Sequence, residues 1–350
     1  MKILHIHPSK KMSERFILPL ILAEKYMGYQ SSIINFNNDE ITQNENCFNL
    51  NFNNLGLIFQ SFKFMAFIKK LKPDIVFCHN SLQAIVPLIL LKFLRIPNII
   101  YFNHGVTFLG YKGIKRLIFY TIEKINLSLA KKTLTVSNEM KFHLDKLSSN
   151  VSIINNGSAC GISIDNVKKR KIYQDYLLND NLTISYIGRL QERKGIKVLI
   201  KILDYFKDSK RVNFTFCGFS NHEFYQFSGK KFSNLQCLGF INNVSDILYK
   251  TDILLLPSLH EGMPYSILEG MLNGTLIIAN DIPGTRSLIK NMHNGILVKN
   301  NDPNLYISII SKIFLRKIGF KKLINNSFKD LKKYDRTLFL TEYQKFLRNI

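Results

Sequence analysis

The stretch DILLLPSLHEGMPYSILEG, residues 252–270, decides the reading of the fold. DILLLPS is a short, continuous apolar run of strand length. LHEGMPY breaks it with a glycine and a proline, and SILEGMLNG then takes helical spacing. A doubly buried strand, a turn and a helix make up the repeating unit of a parallel sheet covered by helices. The turn also poses a chemical question, because it places Glu261 at a strand edge and Glu269 about one turn inside the following helix. Carboxylates accept paired hydrogen bonds from vicinal hydroxyls, which sugar rings and ribose both carry. The plainer alternatives are an exposed loop acid at 261 and a charge near a helix N-terminus at 269.

The same alternation extends in both directions. In the first half the expected strands are KILHIH (2–7), QSSIINF (30–36), PDIVFCHN (73–80), NIIYFNHG (98–105), TLTVSN (133–138) and VSIINNGS (151–158). Between them run helical patterns at 13–27, with Ser13 as the expected cap, and at 59–72, 82–94 and 113–131. The second half starts again with LTISYIGRL (182–190), a helix over 195–208, VNFTFCGF (212–219), NLQCLGFI (234–241), a helix over 244–251, and strands at 275–281 and 295–300. Two such runs predict an α/β protein of two doubly wound Rossmann-like domains, with the linker in SACGISIDN (158–166), where the periodicity lapses. In such sheets ligands bind beyond the carboxyl ends of the strands. His79, His104-Gly105, Gly188-Arg189, Gly218 and Glu261-Gly262 all stand at that edge. Two domains facing each other with those edges would enclose a cleft.

The bulk properties narrow the function. A chain of 350 residues suits two domains. Its 46% hydrophobic and 21% charged content is that of a globular protein, and no apolar run reaches the length of a membrane span. MKILHIH does not read as a secretory signal. Five scattered cysteines without a CxxC pair point to a reducing compartment and no structural zinc. The net charge of +23 fits a nucleic-acid binder, a surface that meets anionic lipid, or the habit of a Lys/Asn/Ile-rich genome. The basic residues lack the interleaved aromatic ladder of a nucleic-acid surface. The segment 59–72 offers a possible lipid face in Phe59, Phe62, Phe64 and Phe67 with Lys63, Lys69 and Lys70. Packing of those aromatics on the sheet is the more ordinary reading.

IGRLQERKG (187–195) ends a strand in Gly188, adds Arg189, and brings Lys194 to the start of a helix. Two cations beside free helix N–H groups suit a diphosphate. The alternative is a solvated Arg and Lys around a turn. The GxxxxGK[ST] loop is absent, and no two aspartates stand two residues apart.

Taken together and in order, these stretches resemble glycosyltransferase family 4, the retaining group with the GT-B fold. PDIVFCHN, FNHG (102–105), IEKINLSLAKKTLTVSN (122–138), INNGS (154–158), IGRLQERKG and LGFINNVSDILYKTDILLLPSLHEGMPYSILEGMLNG (238–274) carry the likeness, which spans nearly the whole chain. The resemblance implies an acceptor-side domain over 1–164, a nucleotide-sugar domain over 165–333, and a last helix, 334–350, crossing back to the first domain. It implies that Arg189 and Lys194 bind the donor diphosphate beside Gly188, and that Glu261 meets the donor sugar with Gly262, Met263 and Ser266. Glu269 would take the ribose, and Gly239 and Ile241 would lie near the base. It places His104 near the reacting centre, with Ser9, Ser13 and His79 on the acceptor side. His104, Glu261, Arg189 and Lys194 are thus the expected catalytic set, with no metal and no cofactor. HPSKKMSER (7–15) departs from the family pattern by lacking a glycine, and this loop and residues 37–55 would shape acceptor choice. The implied reaction moves a hexose or an N-acetylhexosamine from a nucleotide diphosphate sugar, with uridine diphosphate first, to a lipid-linked or oligosaccharide acceptor of a bacterial surface polysaccharide such as lipopolysaccharide or capsule. The expected setting is the cytoplasm, at the inner face of an anionic membrane, without nucleic acid. A nucleotide-sugar epimerase on the same fold and a non-catalytic basic binding protein are the alternatives.

Overall fold

The computed structural model describes residues 1–35, 56–164, 181–315 and 320–350. The chain forms two compact units, Met1–Gly161 with Tyr334–Ile350, and Ile162–Lys333. The expected linker, 158–166, runs into residues outside those described.

In the first unit the order is β1 (Lys2–His7), α1 (Lys10–Phe16), α2 (Leu18–Tyr26), β2 (Gln30–Asn35), α3 (Leu57–Leu71), β3 (Ile75–His79), α4 (Ile85–Phe93), β4 (Asn98–Asn103), α5 (Gly113–Leu129), β5 (Lys132–Thr135), α6 (Asn138–Leu144) and β6 (Val151–Ile153). The six strands pair in the order β2-β1-β3-β4-β5-β6, and every pairing is parallel. The order reverses between β1 and β3, so this crevice is where such a sheet receives a ligand.

The second unit runs β7 (Leu182–Ile187), α7 (Ile196–Phe206), β8 (Val212–Cys217), α8 (Asn221–Ser228), β9 (Leu235–Cys237), α9 (Ser245–Tyr249), β10 (Ile253–Leu256), α10 (Tyr265–Leu272), β11 (Leu276–Asn280), α11 (Pro283–Arg286), β12 (Ile296–Val298), α12 (Pro303–Phe314) and α13 (Lys321–Leu331). Its parallel sheet reads β12-β11-β10-β7-β8-β9, with the reversal between β7 and β10. Helix α7 shows why the pattern folds this way. Ile196, Leu199, Ile202, Leu203 and Phe206 recur at helical spacing and all are buried in the core with the strands.

The final helix, α14 (Arg336–Arg348), packs in the first unit, where Tyr343 OH donates to Glu24 on α2 and Gln344 reaches the Ala23 carbonyl at 3.3 Å. A Cβ at Gly161 would lie 2.6 Å from Arg336 Cα, so the linker and the start of α14 touch backbone to backbone.

Two local expectations change. The helix expected over 13–27 is two helices broken at Ile17, because Pro19 in the first turn of α2 has no N–H to continue α1. Its cap is Ser9 rather than Ser13, which lies inside α1 with its hydroxyl 2.8 Å from Ser9 O and 2.7 Å from Asn35 Oδ1. Helix α3 buries Phe64 and Ile68 but leaves Phe59 and Phe62 exposed, with Lys63 Nζ 4.4 Å from the Phe59 ring centre.

Candidate active site

The second unit gathers four of the expected residues at its reversal point. Gly188 and Arg189 follow β7, and Pro257 to Glu261 follow its neighbour β10. Lys194 Nζ meets Glu261 Oε1 at 2.5 Å, with side chains 17% and 10% exposed. Arg189 is exposed beside them, its carbonyl held by Tyr186 OH at 3.1 Å. Burial and the nearby Glu261 carboxylate push the Tyr186 phenol up, so it stays a neutral donor.

Close backbone contacts build this corner. Gly195 takes a left-handed φ of 76°, and a Cβ there would stand 1.9 Å from Pro257 O. Leu259 N donates to Arg193 O at 2.8 Å. The loop carrying Lys194 is therefore pressed against the loop carrying Glu261. Gly218 has φ of 118° with room for a Cβ only 2.1 Å from Gly188 O, and its N–H donates to Gly239 O at 2.7 Å. Gly188, Gly218 and Gly239 thus link the ends of β7, β8 and β9. Pro264 caps α10, so Gly262 and Met263 precede the helix, Ser266 lies in its first turn and Glu269 further in. Ile241 follows β9 and is partly exposed.

Sequence reasoning missed the residues that hold the end of β10. Asn280 Nδ2 donates to Ser258 O at 2.8 Å, and Asn301 Nδ2 to Pro257 O at 2.7 Å. Gly284 in α11 lies so close that a Cβ would stand 2.3 Å from Glu261 O. All three come from later in the chain, and the only hint of them was asparagine at the polar end of an apolar strand.

The first unit brings its own set to the β1/β3 edge. His79 ends β3 and His104 follows β4. His79 Nδ1 lies 2.9 Å from His104 Nε2, and the His104 ring stacks on Phe102 with centroids 4.7 Å apart. His79 is 1% exposed, so it acts on the surface only through His104, which is half-buried. Burial, then the neighbouring His7, lowers His104 to about 3, and burial lowers His7 to about 4. His79 is held well below the ordinary range by burial and by His104, His5 and His7. These imidazoles are neutral at neutral pH.

The turn with His104 is anchored from below. Gly105 N donates to Asn103 Oδ1 at 2.9 Å, and Asn103 Nδ2 donates to Glu123 Oε1 at 2.8 Å. Glu123 is buried and also accepts from Ser81 and Tyr101. Burial raises it against those hydrogen bonds. Ser9 lies at the loop after β1, with its N–H 3.0 Å from His7 Nδ1. Residues 37–55 lie outside those described.

Two parallel six-stranded, doubly wound units, each with its polar residues at a strand-order reversal, make up the GT-B fold. The family model described as "Glycosyltransferase Family 4" matches residues 22–158, and that described as "Glycosyl transferases group 1" matches residues 168–330. The two models together span most of the chain, which is a glycosyltransferase of family 4. It is 25% identical over 292 residues to the UDP-Gal:alpha-D-GlcNAc-diphosphoundecaprenol alpha-1,3-galactosyltransferase of Escherichia coli, covering 77% of this chain and 75% of that one. The N,N'-diacetylbacillosaminyl-diphospho-undecaprenol alpha-1,3-N-acetylgalactosaminyltransferase of Campylobacter jejuni is 24% identical over 196 residues, 54% of this chain and 51% of that one. Among solved structures, Anabaena Alr3699/HepE in complex with UDP and glucose superposes with a TM-score of 0.78 at 18% identity, over 100% of both chains.

Proposed function

We propose that this glycosyltransferase moves a hexose or N-acetylhexosamine from a uridine diphosphate sugar to a hydroxyl of a lipid-linked surface glycan, with retention of configuration. The observation that carries the reading is the Lys194–Glu261 pair beside Arg189 at the β7/β10 reversal. Lys194 and Arg189 supply positive charge for the leaving diphosphate, and stabilising that charge is the main demand of the reaction. Glu261 orients Lys194 and accepts hydrogen bonds from the donor sugar. Gly262, Met263 and Ser266 lie beside it, Glu269 takes the ribose, and Gly239 and Ile241 flank the base. His104, in the first unit, meets a substrate hydroxyl, with His79 behind it, Ser9 in the loop after β1 and Ser13 in the helix α1 that follows. The chemistry needs no cofactor and no divalent metal.

Support for the donor and acceptor comes from the relatives, two of which are named for transfer onto a diphosphoundecaprenol glycan. A screen of nucleotide sugars by thermal shift identifies the donor, since a ligand of the folded state raises apparent stability. Saturable release of uridine diphosphate on adding a lipid-linked acceptor, abolished by Glu261→Ala and unaffected by a chelator, is the expected result. Isomerised sugar without acceptor would replace this reading with an epimerase. Salt-sensitive polyanion binding that survives Glu261→Ala, without turnover, would replace it with a binding protein.

An anionic bilayer is the proposed setting of the acceptor. No helix among the described residues is long and apolar enough to cross a membrane. At the start of α5, residues 111–118 are all exposed and alternate Tyr111, Ile114, Leu117 and Ile118 with Lys112, Lys115 and Arg116. Each basic side chain near an anionic surface contributes about 1 kcal/mol. Lys112→Glu/Lys115→Glu/Arg116→Glu therefore weakens binding to phosphatidylglycerol vesicles by about 3 kcal/mol or more, roughly a hundredfold. Equal binding of the triple variant in vesicle sedimentation refutes this placement.

A further inference from the structure

The histidine row of the first unit continues inward as a single file of hydrogen bonds. His104 Nε2 lies 2.9 Å from His79 Nδ1, His79 Nε2 lies 3.1 Å from His5 Nδ1, and His5 Nε2 lies 2.9 Å from Glu24 Oε1. Tyr343 OH donates to the same carboxylate oxygen from the far side. Glu24, His5 and His79 are at most 1% exposed. The file is packed by ring stacking, His5 on Phe77 at 4.8 Å and His79 on His104 at 5.2 Å. His7 stands beside it, its Nδ1 turned to the Ser9 backbone, and is not a link. The open end is Nδ1 of His104.

A neutral imidazole has one donor and one acceptor nitrogen. In a file of such rings the direction of one hydrogen bond therefore sets the direction of all. Burial works to raise the Glu24 carboxyl, but its contact with His5 and the hydrogen bonds from His5 and Tyr343 outweigh it and leave the group ionised. A carboxylate only accepts. In a file whose rings each carry one hydrogen, His5 Nε2 then donates to Glu24, His5 Nδ1 accepts from His79, and His79 Nδ1 accepts from His104 Nε2–H. His104 is left with a lone pair on Nδ1.

We propose that Glu24, His5 and His79 are positioning residues that set the ring state of His104, so that its Nδ1 accepts a hydrogen bond from a substrate hydroxyl. The nitrogen that bonds inward decides what the other offers outward. This rests on the reading of His104 as a substrate-facing residue, and it places the deciding group, Glu24, three links away on α2.

The test is ring nitrogen NMR of the full chain labelled with 15N-histidine at pH 8, with steady-state kinetics on the donor found by the screen. In the wild-type protein His104 carries its hydrogen on Nε2 and none on Nδ1. Glu24→Leu leaves His5 without its acceptor, and His79→Phe, which keeps the ring stack, detaches His104 from the file. Both variants populate His104 Nδ1–H and lower kcat/KM at least tenfold. Tyr343→Phe leaves Glu24 a carboxylate and changes neither readout. A hydrogen on Nδ1 of His104 in the wild type overturns the proposal. So does lost turnover in Glu24→Leu and His79→Phe with the ring state unchanged, or an unchanged kcat/KM in both. Unchanged turnover in His104→Phe instead removes the substrate-facing role, while the spectrum still judges the file itself.

Discussion

Lys194→Ala separates what the Lys194–Glu261 pair does for stability from what it does for turnover. At 2.5 Å and an effective dielectric of about 20, the gross attraction is about 7 kcal/mol. Desolvation of both groups consumes most of it. Removing one partner of a buried pair nevertheless costs about 3–5 kcal/mol, because the other charge stays buried alone. With side chains 17% and 10% exposed, the lower end applies, so Lys194→Ala should destabilise the second unit by about 3 kcal/mol. That is a fall of roughly 6–12 °C in Tm for a domain of this size. Lys194→Ala/Glu261→Ala leaves no orphan charge and should recover part of that loss. Turnover should not follow: without the lysine the leaving diphosphate loses a preorganised cation, and kcat falls about a hundredfold or more in both variants. Urea denaturation with a nucleotide-release assay measures the two effects on the same preparations. The reasoning fails if the double variant is no more stable than Lys194→Ala, or if it regains turnover.

Acid should weaken the first unit early. His7 and His104 titrate at about 4 and about 3 in the folded chain against 6.5 unfolded, so the unfolded state binds more protons below pH 6.5. Stability is full above that value and falls with pH by about 1.4 kcal/mol per histidine per pH unit, roughly 4 kcal/mol for the two between pH 6.5 and 5. A flat urea profile across that range contradicts the burial of these rings. Backbone contacts make a third prediction. Gly284→Ala drives a methyl against the Glu261 carbonyl, costing about 1–3 kcal/mol and lowering turnover with it. Gly229→Ala meets no atom within 4 Å and only the strain of φ 67°, about 1 kcal/mol with turnover intact. Equal activity in these two glycine variants would show that α11 does not hold Glu261 in place.

Much of this protein is legible along the chain. Unbroken apolar runs such as ILLL at 253–256 and the helical spacing of Ile196, Leu199, Ile202 and Leu203 follow from local periodicity, which is a property of neighbouring residues. Glu261 and Arg189 stand out because each sits in the turn after such a run, and Lys194 because it stands just before the helix that follows. The break at Ile17 was missed although Pro19 marks it, because the apolar pattern runs on across the break.

What local pattern leaves open is which strand ends are neighbours. The reversal of strand order sets β7 beside β10, and only that pairing carries Lys194 to Glu261 across 67 positions of sequence. The file from Glu24 to His104 likewise needs β1, β3, β4 and α2 assembled. KILHIH did place two histidines inside a buried strand, but their partners come from chain segments far away. Sequence determined the elements and the chemical types at their ends, because those depend on adjacent residues. Tertiary structure decided the partners, because hydrogen bonds and ion pairs are made by distance in space, and parallel sheets bring together ends that the chain keeps far apart.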